Sequence, residues 1–195
     1  MNKEWPYGFY KVLSTEAMKR ITFDEYQQKS QRTAVDGKPD AILFSCMGLC
    51  GETGEVLENI NRYYDNETFE ISKPEKIKDE LGDVLWYLSD IAFKHNQKLS
   101  DIHYPGTYCC IKDAGINLAI ASANVADYLK KVYGHNHTIN LERLKELLGV
   151  VLHYMGVISH HSKFDLTDVM DMNIEKLMKR YPEGFESEKS INRVI

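Results

Sequence analysis

The 195-residue chain is 43% hydrophobic and 27% charged with a formal net charge of -5, the balance of a soluble globular protein built as one large domain or two small ones. Its mixed charges form no basic stripe, which argues against nucleic acid as a partner, and its apolar runs fall short of the ~18 to 20 residues that span a bilayer. Met1-Asn-Lys-Glu-Trp5 lacks the basic and apolar regions of a secretory signal, so a cytoplasmic location is expected, with no membrane partner.

In chain order the pattern is nearly all helix. Thr22-Phe-Asp-Glu25 has the capping-box form and predicts a polar helix from Phe23 to about Thr33, ending before the turn Asp36-Gly-Lys-Pro39. Asp40 is placed to cap a long second helix running to about Tyr64, with Leu43, Phe44, Met47, Cys50, Leu57 and Ile60 as its buried stripe. After a loop at Asp65-Asn-Glu67, Ser72-Lys-Pro-Glu75 reads as a second capping box with proline in the tolerated first turn. The helix it opens passes through Val84, Leu85, Leu88 and Ile91 to about His95, and Tyr104-Pro-Gly-Thr107 then divides the chain. Cys46 and Cys50 fall one turn apart in an apolar helix, and Cys109 and Cys110 are adjacent, which is poor disulfide geometry. Without a C-x-x-C motif a thiolate zinc site is not indicated.

Two acid pairs carry the chemistry, Glu52-Thr-Gly-Glu55 and Glu80-Leu-Gly-Asp83. Residues three apart share a helix face, so each pair presents two carboxylates to one side. If the two helices pack antiparallel, the four acids converge into an oxygen-rich cluster, whose natural complement is a hard divalent cation. Gly48, Gly51 and Gly54 surround Glu52, and since each glycine in a helix costs about 1 kcal/mol relative to alanine, they are expected to admit a close helix or ligand.

The second part of the chain resembles the first. Ile77 to Leu88 aligns without a gap on Leu144 to Met155, matching at Lys, Leu, Gly, Val, Leu and Tyr, and Gly51 to Tyr64 aligns more weakly on Ile120 to Tyr133. On this alignment Glu52, Glu55, Glu80 and Asp83 face Ala121, Asn124, Leu147 and Val150, so the acids are lost while the apolar framework stays. The expectation is a single all-α domain over 1–195: a helical hairpin copied in tandem, the active copy at 40–103, a degenerate copy at 109–170, and a C-terminal helix and tail at 165–195. Such a chain would form a pseudo-dimer by itself, able to associate further into a homodimer.

Glu-Thr-Gly-Glu55 followed by Asp-Glu-Leu-Gly-Asp-Val-Leu-Trp-Tyr-Leu88 resembles the E-x-x-E and E-x-x-D signature of the MazG-like, all-α nucleoside triphosphate pyrophosphohydrolases. Phe23-Asp-Glu-Tyr-Gln27 and Asn173-Ile-Glu-Lys-Leu-Met-Lys-Arg-Tyr-Pro-Glu-Gly-Phe185 are similar to that family too, and the duplicated layout is closer to its dimeric dUTPase-like branch. The resemblance implies hydrolysis of an NTP or dNTP between the α- and β-phosphates to a monophosphate and pyrophosphate, with Mg²⁺, for which Mn²⁺ is a possible substitute. Oxygen-only ligands suit Mg²⁺, and a dication reverses the repulsion between carboxylates and a triphosphate. Glu52, Glu55, Glu80 and Asp83 are then the expected metal ligands and catalytic residues, with Glu52 preferred over Glu55 to orient or deprotonate the attacking water. Asn173, Lys176 and Arg180 recur at steps of three and four and are the expected phosphate donors, with Tyr181-Pro-Glu-Gly-Phe185 as a partial lid and Arg193 as a further basic residue in the tail.

Phe23, Gln27, Trp86, Tyr87 and His153 are candidates for a nucleobase pocket, although Trp86 and Tyr87 at helical spacing are more often core residues than stacking platforms. His135, His137, His160 and His161 read as ordinary surface or core histidines. Two alternatives remain to the enzyme: a non-enzymatic helical interaction module, and a di-metal carboxylate bundle, which normally needs E-x-x-H pairs that the acid motifs lack.

Overall fold

The protein is described by a computed structural model over residues 20–34 and 40–186; the turn predicted at Asp36 to Pro39 and Arg193 lie outside the described residues. Six α-helices are present among them: α1 (Phe23–Ser30), α2 (Ala41–Tyr63), α3 (Pro74–Lys94), α4 (Ile111–His135), α5 (Leu141–His161) and α6 (Leu166–Arg180). Short 3₁₀ turns follow α1 at Gln31–Thr33 and precede the central loop at Leu99–Asp101. The described residues contain no strand, only an isolated bridge between Tyr64 and Ile71 that closes the α2–α3 connection. The architecture is all-α, as the periodicity predicts.

Local chemistry explains most of the helix starts. The capping box at α1 forms: the Thr22 hydroxyl accepts from the Glu25 N–H, and the Glu25 carboxylate accepts from the Thr22 N–H at 2.9 Å. Asp40 stands at the α2 cap position, but its side chain accepts no helix N–H. Nor does Ser72 cap α3. Pro74 starts that helix directly, and the Ser72 hydroxyl donates instead to the Tyr63 carbonyl at 3.1 Å, tying the loop to the end of α2. The best cap in the second half is one the sequence reading overlooks, Asp165 at α6, which forms a capping box with Asp168 and is paired with Arg20.

The packing is a ring. α2 packs on α3 and α4, α4 on α5, and α5 touches α3 to close a four-helix bundle. α4 runs antiparallel to α2: Gly115 lies against Leu57 and Ile60 late in α2, while Tyr133 near the end of α4 is close to Cys46. α1 and α6 lie outside the ring, against α3 and each other. That side position brings α6 to the acid pair of α3.

The α2 face differs from the predicted one. Cys46, Leu49, Thr53, Val56 and Ile60 turn inward at alternating steps of three and four, whereas Phe44 and Met47 are 57% and 73% exposed. Residues 41–50 are apolar on nearly every side, so spacing alone does not select a face there.

Gly82 of α3 and its aligned counterpart Gly149 of α5 are both places of close approach. A Cβ on Gly82 would stand 2.9 Å from Asn173 Nδ2 and 3.0 Å from Asn173 Cβ. On Gly149 it would meet the His103 carbonyl oxygen at 2.9 Å. In the first hairpin the gap admits α6, and in the second it admits the central loop.

Candidate metal centre and active site

Glu52 projects from α2, and Glu80 and Asp83 from α3, so that one carboxylate oxygen of each lies within 4.8 Å of the others. All three residues are half-buried. Glu55 is exposed and stands outside this group of three, yet its charge still reaches both glutamates. Burial, reinforced by Asp83, Glu55 and Glu80 and opposed by Lys176, pushes the Glu52 carboxyl up to about 7. Burial also raises Glu80, helped by Glu55, Asp79 and Asp83. Acids that resist ionising together are held apart from their preferred charge state, and an oxygen-only set this tight fits a hard dication better than any softer ion.

A second group of side chains braces the acids. Asn59, buried on α2, donates its amide to Glu80 Oε1 at 3.2 Å. Lys176 of α6 places Nζ 2.7 Å from Asp79 and 2.8 Å from Asp83. Burial works to lower the Lys176 pKa, but Asp83 and Asp79 outweigh it and the net shift is upward, so the lysine stays cationic. Asn173 is 0% exposed. Its Nδ2 donates to Asp83 Oδ1 at 3.1 Å and its Oδ1 accepts from the Tyr26 hydroxyl at 2.8 Å.

The predicted phosphate donors therefore separate. Asn173, expected as a phosphate contact, is enclosed and donates to Asp83. Lys176 sits at the edge of the acid cluster, and Arg180 lies one turn further along α6, half-buried. The glycine argument also divides: a Cβ at Gly48 would overlap the Tyr87 ring, but Gly51 and Gly54 face open space and bring no helix closer. Tyr26, Asn59 and Asp79 are the neighbours of the site that sequence reasoning misses. Asn59 was within reach, since it follows Glu52 by seven and Glu55 by four on the same helix face.

The nucleobase candidates are largely committed elsewhere. Gln27 is buried, donating to the Gln97 carbonyl at 2.9 Å. Trp86 Nε1 donates to Thr33 Oγ1 at 2.9 Å, and His153 meets the Thr107 carbonyl at 3.1 Å in the second hairpin. The Tyr181 to Phe185 segment is pinned to the turn after α1 by Arg32, which donates to the Pro182 carbonyl at 2.8 Å. At the positions aligned with the acids, Ala121 and Leu147 are buried, with exposures of 3% and 8%.

These features define a class of protein: an all-α bundle with one cluster of carboxylates suited to a hard dication, braced by a lysine and two amides. Residues 45–102 match the family model of the MazG nucleotide pyrophosphohydrolase domain, and the all-helical fold is consistent with that superfamily. The match spans all four acids and ends before the second hairpin. No curated protein and no solved structure matches the chain. No helix among the described residues is long and apolar enough to cross a membrane.

Proposed function

We propose that the protein is a Mg²⁺-dependent nucleoside triphosphate pyrophosphohydrolase that cleaves an NTP or dNTP between the α- and β-phosphates, releasing the monophosphate and pyrophosphate. The observation that carries this reading is the convergence of Glu52, Glu80 and Asp83 inside the segment that matches the MazG domain. Glu52, Glu80 and Asp83 would hold the dication, with Glu55 completing the set at the rim. When bound, Mg²⁺ neutralises phosphate charge and makes a coordinated water more acidic.

The chain's own groups do the rest. A carboxylate has two oxygens, and with one toward the dication the other Glu52 oxygen takes the proton from the attacking water as that water's oxygen closes on phosphorus and the bridging P–O bond breaks. The Lys176 ammonium, held on Asp79, offers its remaining donor capacity to phosphate oxygens, and Arg180 one turn on adds a forked donor. The second hairpin is a copy of the first that kept its packing residues and lost its acids, giving a pseudo-dimeric chain with one live centre.

The test is pyrophosphate release from a panel of ribo- and deoxyribonucleoside triphosphates, with Mg²⁺, with Mn²⁺ and with EDTA, for the wild type and Asp83→Asn. Metal-dependent release that Asp83→Asn abolishes supports the proposal. No release from any triphosphate, or release that Asp83→Asn leaves intact, overturns it.

A further inference from the structure

Asp83 receives an unusual amount of support for a carboxylate on a half-exposed helix face. One support is Lys176, a cation that a bound substrate or metal can draw aside. The other is the amide of Asn173, enclosed at 0% exposure between α3, α6 and α1, and fixed at its far end by Tyr26, also at 0% exposure. We infer that Tyr26 and Asn173 form a positioning relay that holds the Asp83 carboxylate in the orientation the dication requires, an inference resting on the reading of Glu52, Glu80 and Asp83 as its ligands.

Hydrogen-bond chemistry gives the relay a direction. An ionised carboxylate only accepts, so the side of the Asn173 amide facing Asp83 must be the NH₂. That leaves the amide oxygen toward α1, where the buried phenol of Tyr26 donates to it at 2.8 Å. Turning the amide over would set its carbonyl oxygen against the Asp83 carboxylate and its NH₂ against a hydroxyl that must then find another acceptor in an enclosed space. The phenol therefore selects the amide orientation, and the amide fixes one Asp83 oxygen, Oδ1, from 3.1 Å. Gly82 makes the contact possible, because any Cβ there would occupy the volume of the Asn173 side chain. Neither Tyr26 nor Asn173 can touch substrate from its buried place. Their effect on chemistry must pass through Asp83, as outer hydrogen-bond partners of metal ligands generally act.

Removing only the Tyr26 hydroxyl, in Tyr26→Phe, keeps the ring and frees the amide. The Asn173 oxygen is then a buried acceptor without a donor, and the amide can turn over. Ser30→Ala is the matching control. Ser30 is as buried one turn further along α1, and its hydroxyl lies 3.1 Å from that of Ser89 and away from the acids. Binding of Mn²⁺ to the purified full chain, followed by the loss of the free-ion electron paramagnetic resonance signal, reads the relay without turnover. Tyr26→Phe and Asn173→Ala should each weaken Mn²⁺ by about 10-fold or more. The double variant should lose little beyond Asn173→Ala alone, because the two act in series, and Ser30→Ala should bind as the wild type does. Tyr26→Phe within about twofold of wild type, additive losses in the double variant, or an equal loss in Ser30→Ala would each overturn the relay. A wild type that takes up no Mn²⁺ would instead sink the metal reading beneath it.

Discussion

Replacing Glu52 by glutamine should stabilise the metal-free protein at alkaline pH, although it removes a residue central to the proposed reaction. The Glu52 carboxyl is pushed from 4.5 to about 7 by burial and by Asp83, Glu55 and Glu80. The folded chain therefore binds this proton more tightly than the unfolded chain. Stability from this group is present below about 4.5 and falls as pH rises through about 7. At about 1.4 kcal/mol per tenfold, the displacement corresponds to a ceiling of roughly 3 kcal/mol. Because the side chain is partly open to solvent, screening reduces this to roughly 1–2 kcal/mol, or about 2–8 °C in Tm for a chain of this size. Glutamine has no charge to desolvate. Thermal unfolding followed by circular dichroism in EDTA should show Glu52→Gln above wild type at pH 8, by a smaller margin at pH 5, and level with it near pH 4. Saturating Mg²⁺ should reverse the order at pH 8. If the variant gains nothing at pH 8 in EDTA, or gains equally at pH 5, the reasoning from repulsion in the cluster fails.

Gly82→Ala and Gly51→Ala form a contrasting pair measurable by urea unfolding. The first forces a methyl against Asn173 and should destabilise by about 1–3 kcal/mol, while the second faces open space and should stabilise by up to about 1 kcal/mol through helix propensity. Lys176→Met removes the cation paired with Asp79 and Asp83 and should raise KM for the triphosphate in steady-state assays of pyrophosphate release, while the Glu52 pKa moves further up, since Lys176 now opposes that rise. Lys94→Ala should cost about 3 kcal/mol or more in the same unfolding experiment, because it leaves the fully buried Asp90 carboxylate with Ser45 as its remaining partner.

The helices and the acid pairs were legible because each depends on short-range spacing. Glu80 and Asp83 share a face by helical geometry alone, while the antiparallel packing that brings Glu52 to them enters the sequence reading only as a condition. What escaped depends on contacts from afar or on local competition. Tyr26 and Asn173 are 147 positions apart, and nothing in either helix announces the other. Phe44 and Met47 read as core residues because α2 is apolar on nearly every side at its start, and only the placement of α3 and α4 decides which side is covered. Ser72 has the capping sequence, yet proline two residues later begins the helix in its own right and the hydroxyl finds Tyr63. At Asn173 the residue type was right for a polar site, but helical spacing reports a face and not how deeply a neighbour encloses it.

The aligned glycines show why acids alone would not build a second centre on α5. Gly82 and Gly149 leave the same missing volume at aligned positions of two helices, and a different guest fills each: an amide side chain in one, the carbonyl of His103 in the other. A carbonyl only accepts hydrogen bonds, so it would repel a carboxylate written in at Val150 rather than steady it. Acids introduced at Ala121, Leu147 and Val150 would thus meet an acceptor where Asp83 meets a donor. The two hairpins differ in what docks on them as well as in the residues they carry.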